Sequence, residues 1–506
     1  KFHYKEQEET VLNAEGCSRA WRWDRRPLRL LLPQQELTGL QAKCLQSCNI
    51  AEETVVLLEA TGRCGGWLRS TRREDGAVFE HGPRGVRPFG PAGQNTLNML
   101  SELGLEREIL AVPHDHVASK NRFLYVNGQL HRMPSSLSGV VHTVPPFSRP
   151  IILSVLKEVL VSKGKQEDEC VHAFVSRRLG SELADIAIDS VCRGVFAGDS
   201  RQLSVRSCFH SLYSAEQAWG SVLLGMLMGK LMGSEKGLPV VPSELAQRAQ
   251  KERWAQWSLR RGMQALPETL HEVLRGKERV EVHQNTPVKS LSRKPGGWEI
   301  KLEDGATLKV DHVISAVPAS ALALLLPPAA HSLSEQLRAI PTVTVAMVNL
   351  EFEGSVLPVK GFGHLVPSSE DLGLLGVVYD SVPFPQHNRR GDPTTRLTVM
   401  MGGAWFEETF GHPGEVKEQV LLDRASRVLR SHLGITATPS WSKAAVLKNC
   451  IPQYHVGHWK RLEMMRRYIS DHGLPLTLTG ASYDGVSVSD VMFSGRVAAE
   501  CLTGKA

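Results

Sequence analysis

At 506 residues, with 42% hydrophobic and 22% charged residues, the chain has room for two or three domains and sizeable cores. A formal net charge of +6, without the stacked basic–aromatic pattern of nucleic-acid modules, sets nucleic acid aside and leaves an anionic surface or substrate open. Nine cysteines without a C-x-x-C and 19 histidines without H-E-x-x-H spacing predict free thiols in a reduced compartment and no metal centre.

The chain begins at Lys1 rather than methionine, so an incomplete N-terminus is expected. Residues 1–36 lack periodicity. Trp21–Arg29 is basic, but Glu6, Glu8 and Glu9 argue against a targeting segment. The first strong signal is Val55–Leu58, four apolar residues running into Glu59 and a turn with Arg63, Gly65 and Gly66. This is how the second strand of a dinucleotide-binding βαβ unit reads: buried on both faces, with an acid at its end for a ribose. Gly39 stands where the last glycine of a G-x-G-x-x-G loop belongs, but Gln34 and Glu36 occupy the two earlier glycine positions. Their side chains would crowd a pyrophosphate, and Glu36 would oppose its charge. Pro33 interrupts the only candidate first strand, Pro27–Gln35, and a weak helical face follows at Leu40, Cys44, Leu45 and Cys48.

Glu80–Pro88 is a second Gly-rich turn, in which Arg84 and Arg87 alternate with Gly82 and Gly85. Such a turn suits an anion or a flat ring, with a solvated loop as the alternative. Asn98–Leu105 is helical by spacing, and Asn121–Gln129 is a strand headed by Arg122 that runs into an Asn-Gly turn. Residues 165–233 read as helices, with a stop at Arg193–Gly198. No apolar run reaches the ~20 residues of a spanning helix. Pro150–Ser162 and Ser221–Met232 come closest; buried core helices are expected there, and a pocket wall or a membrane-dipping surface is the alternative. Gly297–Val317 is a hairpin turning at Asp304–Gly305, with a buried strand stopped by Pro318. Thr342–Phe352, Gly376–Tyr379 and Thr398–Gly402 read as strands of one sheet. An apolar run at Leu474–Leu478, a Gly/Ser turn and a helix from Val488 close the chain.

Glu59-Ala-Thr-Gly-Arg63-Cys-Gly65-Gly66, the segment Asp311–Ala319 and the C-terminal stretch GASYDGVSVSDVMFSGRVAA resemble the flavin amine-oxidase superfamily. EHGPRGVRP, NRFLYV, SVCRGVFAGDSRQLSVRSCF, GFGHLVPSSED and NCIPQYHVGHW narrow the resemblance to the oxygen-dependent protoporphyrinogen oxidase family, over about residues 37–502. The resemblance implies an α/β fold: a Rossmann-type FAD-binding domain built from dispersed segments, an α+β substrate domain and a helical membrane-contacting domain. The expected boundaries are an atypical segment 1–36, FAD-binding parts 37–117, 279–331 and 460–506, a helical domain 118–230, and substrate parts 231–278 and 332–459.

The resemblance also implies FAD, with Glu59 and Ala60 at the adenosine ribose, Val288 at the adenine side and Gly39 as the last glycine of the phosphate loop. Trp67, Gly82, Pro83, Arg84 and Gly85 would line the approach to the isoalloxazine, while Ala481, Val486, Ser487 and Val488 would close over it. The implied reaction removes six electrons from protoporphyrinogen IX in three rounds, each passing a hydride to the flavin, with molecular oxygen reduced to hydrogen peroxide. No acid–base dyad stands out. Arg122 would pair a propionate, Phe362, Leu365, Val378 and Met400 would form apolar walls, and the Gly194 carbonyl would face the pyrrole N–H groups; sheet core is the alternative for the apolar four. Also implied are a homodimer and peripheral contact with lipids of the mitochondrial inner membrane, on the intermembrane-space side. Two other readings stay open: a relative acting on an amine or polyene, and a flavin-deficient, catalytically silent isoform.

Overall fold

The computed structural model describes residues 54–135, 137–231 and 241–503. The interrupted candidate strand Pro27–Gln35, with Gln34, Glu36, Gly39 and the helical face after it, lies outside the described residues. Val55–Leu58 pairs in parallel with Val280–His283. Its side chains alternate between two cores: Val55 and Leu57 join Trp254, Trp257, Leu266 and Met492, while Val56 and Leu58 join Trp298, Ile300, Leu333 and Met465. Burial on both faces explains the unbroken apolar run. A second parallel pair joins Val313–Ser315 to Leu476–Leu478, and the three-stranded meander Val288–Lys294, Gly297–Leu302, Thr307–Val310 turns at Gly305, whose φ is +91°. The C-terminal helix Val488–Thr503 packs on Gly90–Glu102. Segments remote in sequence thus build one nucleotide-side body.

The other body is a seven-stranded sheet in the order 441–452, 342–353, 394–403, 374–378, 363–365, 123–126, 129–132. One face packs Val348, Val377 and Val399 on Leu421, Val428 and Leu429 of the helix Glu418–Leu433. The period of two sends the alternate residues to the opposite face, where Leu365, Gly376, Met400, Met347 and Ala445 stand in register across five strands. The helices Ile151–Glu158, Val171–Leu179, Asp189–Phe196, His210–Trp219 and Val222–Leu231 form a third block around Phe174, Ala184, Cys192 and Leu203.

Four placements differ from expectation. The helix expected to stop at Arg193–Gly198 runs through Gly194 to Phe196 and turns at Ala197, with φ +49°. Residues 245–274, expected on the substrate side, give Leu245, Trp254, Leu259, Leu266 and Leu274 to the nucleotide-side core. Phe123–Val126 and Gln129–Arg132, expected with the helical block, extend the seven-stranded sheet instead. The helices Ile151–Glu158 and Val222–Leu231 are not buried: Leu153, Leu156, Leu223, Leu224, Met226 and Leu227 are exposed, because these helices form the outer layer of a thin block. No helix among the described residues is long and apolar enough to cross a membrane.

Candidate functional site

Glu59 is almost fully buried at the end of its strand. Its Oε1 accepts from Thr61 N at 2.9 Å and Thr61 Oγ1 at 2.7 Å, while its buried Oε2 has no hydrogen-bond partner among the described residues. A desolvated carboxylate oxygen without a donor is costly unless a ligand hydroxyl completes it. The donor set therefore fits the ribose of a dinucleotide. Ala60 follows on the half-buried rim. Behind it, Thr286 N donates to Glu59 O at 2.9 Å, placing half-buried Val288 two residues farther along.

The turn after Glu59 is held by Arg63, whose guanidinium donates to the carbonyls of Cys64, Leu68 and Gly66. Burial, then Arg69, lowers its pKa from the usual arginine value. Gly65 is required twice over: its φ is +103°, and a Cβ would stand 2.5 Å from Pro267 Cγ. Gly82 lies against Trp67, where a Cβ would meet the Trp67 carbonyl at 2.1 Å. The two Gly-rich turns are therefore in backbone contact, with Trp67 half-buried beside them. A cleft of about 220 Å³ opens between them and the edge strand of the sheet, lined by Glu59, Arg63, Trp67, His81, Lys443 and Leu447 among others.

Within the second turn, Pro83 is exposed, and Gly85 faces Gln256, whose Oε1 would lie 3.0 Å from an added Cβ. The Arg84 guanidinium, in a turn expected to suit an anion or a flat ring, is buried and donates to Asp380 Oδ1 at 2.7 Å. Asp380 also accepts from Thr398 Oγ1 at 2.6 Å, Thr398 bonds Asn349 at 2.7 Å, and Asn349 Nδ2 donates to Glu80 O at 3.1 Å. This buried chain ties the turn to the sheet. Beside it burial pushes the Glu80 carboxyl up to about 7, against hydrogen bonds from Met263 N and Ser70. Burial, with Lys443 and Arg69, takes His81 down to about 4.

At the C-terminal end, Ser487 caps the helix Val488–Thr503: its Oγ accepts from Asp490 N at 3.1 Å, and Asp490 Oδ2 accepts from Ser487 N at 3.3 Å. The positive end of the helix dipole thus lies at the turn that carries Ala481, Val486 and Val488. Val486 packs against the helical block, bringing all three bodies to one place. Sequence reasoning missed Tyr454, which fixes this turn by donating to Ala481 O at 2.5 Å and accepting from Gly485 N at 2.9 Å. It also missed Asp380, Thr398 and Asn349. Tyr454 sits in the motif NCIPQYHVGHW, but nothing in its spacing marks a phenol that reaches residues 27 and 31 positions away.

Of the expected substrate residues, Leu365, Val378 and Met400 share the sheet face described above and are half-buried. Gly194 meets them: a Cβ there would stand 2.6 Å from Leu365 Cδ2, so the helix lies directly on this strand. Phe362 is half-buried, with its amide donating to Asn121 O at 2.9 Å. Arg122, beside Asn121, is exposed, and no carboxylate pairs with it among the described residues. Partial desolvation, then Arg87, lowers its pKa. The arrangement is an apolar sheet face packed against the helix, with the Arg122 guanidinium exposed next in sequence to the Phe123–Val126 strand.

A family model described as flavin containing amine oxidoreductase matches residues 41–503. Protoporphyrinogen oxidase of Bos taurus is 48% identical over 469 residues, 92% of this chain and 97% of that protein. The Homo sapiens protein of the same name is 48% identical over 471 residues, with the same shares. A solved structure from Exiguobacterium sp. 255-15 superposes with a TM-score of 0.74 at 24% identity, covering 95% of this chain and 99% of that one. That likeness shows the fold.

Proposed function

The chain belongs to the family of flavin containing amine oxidoreductases, and within it we propose that it oxidises protoporphyrinogen IX to protoporphyrin IX with FAD as cofactor and molecular oxygen as final acceptor, in haem synthesis. The observation that carries the reading is 48% identity to proteins named protoporphyrinogen oxidase, across nearly the whole of both chains. When bound, FAD supplies the two-electron acceptor for each of the three oxidation rounds.

The chain's own residues hold and orient. Glu59 Oε2 takes a ribose hydroxyl, with Ala60 and Val288 around the adenosine. The backbone of Trp67 and of Gly82–Gly85 lines the approach to the flavin, and the two turns lie against each other because Gly82 carries no Cβ to meet the Trp67 carbonyl. Ala481 and Val486–Val488 close the opposite side, where the helix N-terminus favours developing negative charge. Leu365, Val378, Met400 and Phe362 exclude water from a flat apolar tetrapyrrole, the Gly194 carbonyl accepts from pyrrole N–H groups, and Arg122 pairs a propionate bidentately. The exposed leucines of the helical block support peripheral lipid contact. With the resemblance, this leads to a peripheral place on the mitochondrial inner membrane, facing the intermembrane space, and to a homodimer.

The test is turnover. Protoporphyrinogen IX incubated with the FAD-loaded chain is expected to give porphyrin fluorescence and peroxide; peroxide from an amine or polyene, with no porphyrin, would overturn the assignment. A flavin-deficient isoform is the second reading, favoured by Gln34 and Glu36 in place of phosphate-loop glycines. Restoring glycine at both positions should then raise flavin content.

A further inference from the structure

The two helices whose apolar residues face outward are joined by a charge cluster buried beneath them. Glu158, at the end of Ile151–Glu158, is 1% exposed. Its carboxylate accepts from Ser221 Oγ at 2.6 Å, Val222 N at 2.8 Å and Leu223 N at 3.3 Å, so it caps the N-terminus of Val222–Leu231 from another helix. Arg178, 2% exposed, donates to Glu158 Oε1 at 2.9 Å, to Val161 O at 3.0 Å and to Gly220 O at 2.8 Å. It also pairs with Glu216, which Arg177 reaches at 2.8 Å. One guanidinium thus ties the C-terminal end of Ile151–Glu158 to the segment that begins Val222–Leu231.

The same cluster alters the surface. Glu158 is the one acid between residues 140 and 165, and residues 217–231 contain none. Its burial on Arg178 leaves the outer face without a carboxylate from either segment, while Lys157 and Lys165 stay exposed. Leu153, Leu156 and Lys157 follow the i, i+3, i+4 spacing of one helix face, Leu160 stands in the turn just beyond it, and all four are exposed, Leu160 at 86%. An apolar stripe carrying a lysine that can snorkel suits the headgroup boundary of an anionic bilayer better than a protein groove of mixed charge.

We infer that the Glu158–Arg178–Glu216 cluster sets Ile151–Glu158 and Val222–Leu231 as one rigid plate for docking on an anionic lipid surface. Glu158 acts there as a positioning residue that never touches lipid. The inference rests on the peripheral lipid reading above and specifies the charge of the partner and the device that aligns the plate.

The experiment is co-sedimentation of the FAD-loaded full chain with phosphatidylcholine vesicles, with and without about 30% phosphatidylserine, alongside porphyrinogen turnover in detergent. Wild type is expected to bind the anionic vesicles preferentially, and more weakly at high salt. Lys157→Glu should lose about thirty-fold in partition at low salt. Glu158→Gln should lose at least about fivefold, with turnover retained. Equal binding of wild type to both vesicles, with Lys157→Glu unchanged, overturns the anionic partner while peripheral contact stands. Failure of wild type to bind either overturns the lipid reading as well. Glu158→Gln that binds like wild type overturns the positioning role. Lys157 lies outside the cluster, so its variant decides the charge question even where Glu158→Gln fails to fold.

Discussion

Replacing Glu59 by glutamine separates cofactor binding from folding. The variant keeps an acceptor oxygen for Thr61 N and Thr61 Oγ1, the two donors that now satisfy Oε1. What it loses is the negative charge at Oε2, the buried oxygen without a partner among the described residues. A hydrogen bond to a charged acceptor is worth about 1.5–3 kcal/mol. The FAD dissociation constant should therefore rise roughly ten- to hundred-fold. Apoprotein stability should change by less than about 1 kcal/mol, because the local bonds survive. Titration of apoprotein with FAD, followed by quenching of flavin fluorescence, gives the first quantity, and urea unfolding without flavin gives the second. Unchanged FAD affinity, or a stability loss as large as the affinity loss, would refute the assignment of this oxygen to the ribose.

Three further outcomes follow from the same geometry. Gly65→Ala should cost about 2–4 kcal/mol, combining strain at φ +103° with a Cβ 2.5 Å from Pro267, whereas Gly104→Ala, at φ +69° with open space around it, should cost about 1 kcal/mol; urea midpoints compare them. Asp380→Ala should destabilise by about 3–5 kcal/mol, since it strands the buried Arg84 guanidinium and Thr398 hydroxyl, and Asp380→Asn by less. Stability should fall as pH drops from about 6.5 towards 4. Burial holds His81, His387, His432 and His458 near about 4, and His312 and His364 near about 3, so the unfolded chain binds protons in that window and the native state does not. Glu80, raised to about 7, acts in the opposite sense, as one group against six. A flat melting temperature between pH 7 and 5 would contradict this.

The strand Val55–Leu58 and its acid were legible because a run buried on both faces has no polar alternation to confuse it. The hairpin at Asp304–Gly305 and the Asn-Gly turn at Asn127–Gly128 were legible for a local reason: both turns use positive φ, which those residues supply. The fate of Arg84 was not. Whether a guanidinium in a Gly-rich turn faces a ligand or a carboxylate depends on Asp380, 296 residues away, and no periodicity carries that. The outer helices failed similarly: Leu153 and Leu227 read as core because hydrophobicity does not say whether another layer covers them. Gly194 and Leu365 were placed by resemblance, and the structure adds why the helix position needs glycine, since a Cβ would meet Leu365 Cδ2 at 2.6 Å.

The most direct measurement of the central claim is made on the purified full chain, before and after FAD is supplied: flavin absorbance at about 450 nm and porphyrin fluorescence from protoporphyrinogen IX in air. Bound flavin, and porphyrin formed together with peroxide, are the expected result. A chain that holds flavin yet forms no porphyrin above the uncatalysed rate would contradict it.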